Sequence, residues 1–298
     1  MKRASDLIKQ GLIFDIINVI IMLLVMVVTL YPFLNVVAVS FNQSNDTIRG
    51  GITIFPRAPT LENYAYIFRF GNIPTALLIS VLRTLIGTLT SLAACAMFAY
   101  VLSRREFVAR RLFSRFLAIT LYVSGGLIPS YLLVRDLKLM NNFLVYILPW
   151  IVNAFYIFMI RTYMEGLPDE LHESARMDGA SEFVIFTRII LPLCKPVLAT
   201  IALFIAVSQW NSWFDTYLYC GSAPSLSTLQ YELMKILQST QTGNEAVLSN
   251  ALLREMQRVT PDSIKMAITV ITIVPIILVY PFLQRYFVKG MTLGAVKT

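Results

Sequence analysis

Six stretches of the 298-residue chain are almost free of charge: about 13–40, 75–102, 113–134, 143–162, 196–214 and 266–288. A helix crossing a hydrocarbon core of roughly 30 Å needs roughly 20 apolar residues, at about 1.5 Å of rise each. Every stretch is about that long. Composition agrees, with 57% hydrophobic and 14% charged residues, where soluble domains carry about 25% charged. The expectation is an all-α membrane protein with six transmembrane helices, forming a single transmembrane domain over 1–298 in a lipid bilayer.

The first stretch follows Lys2, Arg3 and Lys9, as the core of a signal peptide would. Its apolar residues run from Ile16 through Pro32 to Val39 with no small-x-small cleavage site, so it reads as a retained helix. Lys and Arg collect on the cytoplasmic side of membrane proteins. With the N-terminus inside, the inside segments within 1–9, 104–115, 161–195 and 285–297 hold fifteen basic residues. The outside segments hold nine: Arg49, Arg57, Arg69, Arg135, Lys138, Lys235, Arg254, Arg258 and Lys265. Both termini and 163–195 are then cytoplasmic, and the loops 41–74 and 215–265 face outward. Residues 63–68 in the first of these read as a short interfacial helix. The formal net charge of +8 follows largely from this asymmetry and calls for no nucleic acid.

Reactive groups are sparse. Cys95, Cys194 and Cys220 fall in different parts of the chain, and His172 is the only histidine. No metal-ligand spacing or Cys–His pair arises, so no catalytic residue, metal or cofactor is expected in this chain. No G-x-x-x-x-G-K-[ST] loop is present to cradle ATP. The spans hold only Asp15 and Asp215, both near an end, whereas ion-coupled carriers place carboxylates at mid-membrane. A stand-alone ion-coupled carrier or channel is the alternative reading, and it lacks that feature. A membrane-embedded enzyme lacks a catalytic cluster. A transporter without these devices takes its energy from another subunit.

Residues 167–192, LPDELHESARMDGASEFVIFTRIILP, are polar between two apolar runs. Pro168 suits a first helical turn, and Asp169 and Glu170 suit the positive end of the helix dipole. Leu171, Ser174, Ala175 and Asp178 follow on one face, and Gly179 offers a left-handed stop. Ser181 can cap a second helix with Phe183, Phe186, Ile189 and Ile190 as its apolar stripe, which Pro192 and Pro196 end. Two uses fit such a helix–glycine–helix at the membrane surface. One is an interfacial connector. The other is a docking element, for which the small Ser174, Ala175, Gly179 and Ala180 permit close approach.

Glu173-Ser174-Ala175, three residues, Gly179, nine residues, then Ile189-x-Leu191-Pro192 resembles the EAA loop of ABC importer permeases. Ser174 stands where that pattern usually has alanine, a small-for-small departure. The resemblance implies a type I ABC importer permease fold in a bacterial cytoplasmic (inner) membrane, with no catalysis in this chain. It implies that Glu173, Ser174, Ala175, Asp178, Gly179, Ala180, Ile189, Leu191 and Pro192 couple the permease to a partner ATPase, which holds the ATP and magnesium. The implied partners are a second homologous permease, two ATP-binding subunits docking on 167–192, and an extracytoplasmic solute-binding protein docking on 41–74 and 215–265. Residues 125–131 (GGLIPSY), 210–215 (WNSWFD) and 280–290 (YPFLQRYFVKG) are similar to the carbohydrate-uptake branch. That branch implies an oligosaccharide cargo of plant or algal origin.

Trp210, Asn211, Trp213, Asp215 and Tyr217 cluster where the fifth stretch ends. Sugars are held by aromatic faces plus amides and carboxylates, so these are candidate substrate-pathway residues. Interfacial Trp and Tyr belts give the same pattern without function. Arg83 is a lone cation inside the second stretch. It can snorkel, pair with a carboxylate, or face the pathway. In the last case an acidic, uronate-type fragment such as one of alginate is a natural ligand. Gly125-Gly126-x-x-Pro129 reads either as a helix broken where it lines a cavity or as a simple turn between spans.

Overall fold

The computed structural model describes residues 2–70, 72–242 and 260–295, with side chains over 14–69, 72–238 and 260–278. Residues 243–259 of the expected outer loop, and Lys297, lie outside the described residues. The chain divides into two compact units, Met1–Gly71 with Ile236–Ile273 and Asn72–Lys235 with Val274–Thr298. Among the described residues the regular structure is helical, and one isolated antiparallel bridge joins Asn42 and Pro59.

In the first unit, α1 (Lys2–Ser40) runs 39 residues with Pro32 inside it. Its large apolar side chains from Phe14 to Phe33 are exposed. A helix apolar all round with nothing of its own unit over it belongs in lipid or against another chain. Its last turn is different. Asn35 Nδ2 donates to the carbonyls of Ile52 (2.8 Å) and Thr53 (2.9 Å). Asn63 Nδ2 donates to those of Ser40 (2.8 Å) and Asn42 (2.9 Å). These bonds fold residues 41–61 back around α2 (Ser44–Thr47) and lead into α3 (Glu62–Phe70), which covers the short helix expected at 63–68. A hydrogen bond from Asn42, together with the charge of Arg57 at 3.1 Å, holds the Asp46 carboxyl below the usual carboxylate range. The segment after α1 is therefore a built cap, pinned by side-chain amides to backbone that has no ladder of its own.

The second unit is organised around α4 (Ile73–Ser103). Ala76, Ser80, Arg83, Gly87, Ser91, Cys95 and Ala99 recur every three or four residues along it, and all are buried. Six of the seven are small, which is how apolar helices pack closely where lipid offers no hydrophobic drive. Next come α5 (Arg110–Tyr122) and α6 (Leu127–Asp136), two 3-10 turns at Phe143–Tyr146 and Leu148–Trp150, and α7 (Ala154–Glu165). Asn153 caps α7 by accepting from the amides of Phe155 (3.0 Å) and Tyr156 (3.3 Å). After α8 (Glu170–Met177) and α9 (Glu182–Val184) the chain makes a π-helical stretch at Ile185–Ile190, then α10 (Leu191–Leu193), α11 (Lys195–Asn211) and α12 (Phe214–Cys220). The helices α7 and α11 pack on α4, around a core in which Cys95, Ala99, Ile157, Ile160, Ile185 and Ile201 are wholly buried. Helices α13 (Leu229–Thr242) and α14 (Pro261–Ala295) complete the order.

Among the described residues three helical segments are long and apolar enough to cross a membrane: Phe14–Ser40, Ile73–Ser103 and Pro261–Leu278. The count reaches six when each of three bent pairs is taken as one span. The bends are 117° between α5 and α6, 50° before α7, and 82° between Glu182–Leu193 and α11. The sharpest falls at Gly126, whose φ of +84° suits glycine. The apolar run 113–134 is thus not one straight helix. Its glycine pair turns the chain inside the run, where length and apolarity alone read a continuous span.

Candidate functional site

Segment 167–192 builds one exposed corner. The α8 helix begins at Glu170, with Glu170 and Glu173 in its first turn, at the positive end of the dipole. It ends in a Schellman turn: Gly179 N–H donates to the Arg176 carbonyl (3.0 Å) and Ala180 N–H to that of Ala175 (3.0 Å). Gly179 sits at φ +81° with nothing within 4 Å of where a Cβ would stand. Glycine is therefore required by the backbone and not by space. Ser181 follows in extended conformation at the start of α9, as a cap would, but its side chain makes no capping bond.

The faces differ from those read in the sequence. The buried residues of α8 are His172 and Ala175, whereas Leu171, Ser174 and Asp178 are exposed. Glu173, Gly179 and Pro192 are exposed too, and Ala180, Ile189 and Leu191 are half-buried. The corner also projects Met177 and Phe183, 88% and 71% exposed. Of the expected apolar stripe, Phe186 and Ile190 are buried and Ile189 half-buried, and Ile185 joins them in place of Phe183. The π stretch explains the change, because five residues per step replace three or four. The helix runs through Pro192 to Leu193 and breaks at Cys194, between the two prolines expected to end it.

The substrate-pathway candidates divide. Arg83 is 1% exposed and Asp215 4% exposed, and they face each other. Arg83 Nη2 lies 2.5 Å from Asp215 Oδ2, and Nη1 3.2 Å from Oδ1. Gln209 Oε1 accepts from Nε (3.2 Å) and Nη2 (2.9 Å), and the Ser212 carbonyl accepts from Nη1 (3.3 Å). All five guanidinium hydrogens are thereby used. The Tyr146 ring lies 4.4 Å under the guanidinium carbon. Asp215 Oδ1 also accepts from Ser212 Oγ and the Thr216 amide, each at 2.9 Å. Of the three roles open to Arg83 in the sequence, the structure has the carboxylate pair. A paired, saturated cation gives no reason to expect an acidic ligand at Arg83.

Trp210 is buried and Asn211 is exposed. Trp213 and Tyr217 belong to a separate aromatic group, with Trp213 edge-on to Phe214 at 5.7 Å and Tyr217 at 6.3 Å from Tyr231. A cavity of about 160 Å³ is lined by Arg83 itself with Trp150, Asn153, Tyr156, Gln209 and Ser212. Sequence reading passed over Gln209 and Tyr146. The signal for Gln209 was its company: a Gly87 Cβ would stand 2.8 Å from Gln209 Nε2, so the glycine in the α4 stripe marks where this side chain enters.

A family model, binding-protein-dependent transport system inner membrane component, matches residues 9–293, and the chain belongs to that family of ABC importer permeases. Protein LplC of Bacillus subtilis (strain 168) is 36% identical over 291 residues, covering 97% of this chain and 96% of that protein. The polygalacturonan/rhamnogalacturonan transport system permease protein YtcP of the same organism is 35% identical, covering 96% of this chain and 98% of that protein. A solved bacterial ABC transporter involved in import of the acidic polysaccharide alginate has a chain that aligns with TM-score 0.84 at 29% identity, covering 92% of this chain and 96% of that one.

Proposed function

We propose that this chain is one permease half of an oligosaccharide importer, with six spans and both termini in the cytoplasm. A second, related permease completes the pathway. Two ATP-binding subunits, which hold ATP and magnesium, seat on the corner at 167–192, and a solute-binding protein docks on 41–74 and 215–265. Nucleotide-driven closure of the ATPase pair moves the corner, the helices switch between inward- and outward-open arrangements, and the sugar crosses between the permease halves. The observation that carries this reading is the family match over 9–293, joined to an exposed corner that places Glu173, Ser174, Asp178 and Gly179 on its outside.

The cargo is proposed from the relatives. Two of them are named for polygalacturonan/rhamnogalacturonan and for alginate, so an acidic polysaccharide fragment is the favoured class. Its countercharge comes from residues other than Arg83, whose donors are already used. The test is purification of the tagged chain in detergent from membranes that express its partners. An ATP-binding subunit is expected to co-purify in a fixed ratio. Recovery of the chain alone, under conditions that keep related complexes intact, defeats the reading.

A further inference from the structure

Glu182 lies outside the positions that carry the loop resemblance, yet it gathers more contacts than any of them. Its Oε2 accepts from Tyr100 Oη at 2.6 Å and lies 3.2 Å from His172 Nε2. Its Oε1 lies 3.5 Å from Arg176 Nε, and Arg176 Nη1 donates to Glu106 Oε1 at 2.6 Å. One carboxylate thus joins α4 (Tyr100), α8 (His172 and Arg176) and the start of α9. The Tyr100 ring lies 4.9 Å from that of Phe186 in the π stretch, and the Arg104 guanidinium carbon stands 4.8 Å over the Tyr100 ring.

The corner is joined covalently to α7 through residues 166–169 and, at its other end, to α11 through the π stretch and an 82° bend. The stretch and the bend absorb displacement, because they add slack to the helical ladder or turn its axis. A side-chain route crosses into α4, an unbroken helix of 31 residues, at Tyr100, whose hydroxyl donates to Glu182 at 2.6 Å and lies 3.4 Å from His172 Nε2. That helix carries Arg83, which is tied in turn to Asp215 and Gln209. We propose that Glu182 and Tyr100 form the relay by which movement of the corner reaches α4, with Glu182 as a positioning residue. The proposal rests on the reading of 167–192 as the ATPase seat.

The test uses the whole complex in lipid nanodiscs. A fluorophore on Leu78→Cys, an exposed position of α4, reports movement when ATP, magnesium and vanadate are added. Cys95, Cys194 and Cys220 are buried and stay unlabelled in the folded chain. The parent complex shifts its emission. Glu182→Gln and Tyr100→Phe are each expected to keep the ATPase bound and hydrolysing while the shift falls about tenfold, the scale set by one charge-assisted hydrogen bond. The double variant falls no further, because both changes weaken the same contact, Tyr100→Phe by removing the donor and Glu182→Gln by removing the charge on the acceptor. Tyr100→Phe keeps the ring on Phe186, so its folding is preserved even where Glu182→Gln is lost. A full-sized shift in Tyr100→Phe overturns the relay while leaving the ATPase seat intact. Loss of bound ATPase together with the shift assigns the pair to docking or folding and also overturns it. A parent complex that holds no ATPase removes the underlying reading instead, and the relay with it.

Discussion

Arg83 occupies the one large position in a stripe of small residues along α4, and its charge is cancelled on the spot by Asp215. Removing one partner of a buried pair strands the other and costs about 3–5 kcal/mol, whereas replacing both with apolar residues of similar size is often neutral. Arg83→Met is therefore expected to lower the melting temperature of the purified complex sharply, and Asp215→Leu to do the same. The double variant is expected to recover most of the loss, as read by thermal unfolding in detergent. If the cation also reads cargo charge, the rescued double variant will lose uptake of uronate oligosaccharides selectively over neutral ones. We expect the ratio to stay unchanged. Sequence alone marked Arg83 and Asp215 separately, because nothing in the order of residues says that positions 132 apart meet. The aromatic residues beside Asp215 drew attention to a sugar-like cluster, and in the fold Trp213 and Tyr217 keep company with Phe214 and Tyr231.

At the scale of elements the corner was largely legible. Proline, the acidic first turn and glycine at the stop each have a local backbone cause, and local causes survive in sequence. The π stretch was not legible, since its five-residue spacing resembles a helical stripe one residue out of step. Gly179 gives a clean check on what the turn requires. At φ +81° a leucine costs about 1–2 kcal/mol for the left-handed backbone, while asparagine tolerates it. Gly179→Leu is expected to separate ATP hydrolysis from sugar uptake, and Gly179→Asn to retain coupling. Equal behaviour of the two in a reconstituted uptake assay would show that backbone shape is not what the corner supplies. Acid provides a second probe. Burial pushes the Glu182 carboxyl up, but the hydrogen bonds from Tyr100 and His172 and the charge of Arg176 outweigh it and hold it low. Its folded pKa is below its unfolded one, so its contribution is present at neutral pH and lost as pH falls through the acid range, below about 4.3. Melting temperature against pH should show that acid limb in the parent complex and a shallower one in Glu182→Gln.

For the whole molecule, the amount of apolar surface left uncovered is the main physical fact. The large apolar side chains of α1 from Phe14 to Phe33, and many of those on α5, are exposed. A groove lined by Met97, Phe98, Val101, Phe113, Phe116 and Val152 is apolar throughout. Such surfaces are stable only in lipid or against another chain, which is why composition announced a membrane protein before any motif was found. It could not announce the bend at Gly126, which interrupts a run whose apolarity continues. The proposed sidedness is testable with two exposed positions. Met177→Cys should react with an impermeant maleimide only in inside-out vesicles, and Phe55→Cys only in intact right-side-out ones. Labelling of both from one side reverses or breaks the proposed topology.

The π stretch at Ile185–Ile190 also sets a phase. Each residue added to or taken from a helix rotates everything beyond it by about 100°. Deleting Thr187 would let the backbone relax into ordinary α-helix, a change the ladder of hydrogen bonds welcomes. It would also swing Glu182 away from Tyr100 and carry Gly179 and Met177 to a different bearing around the helix axis. The stretch therefore behaves like the keyway of a shaft: a locally wasteful turn that fixes the angle at which the corner is presented.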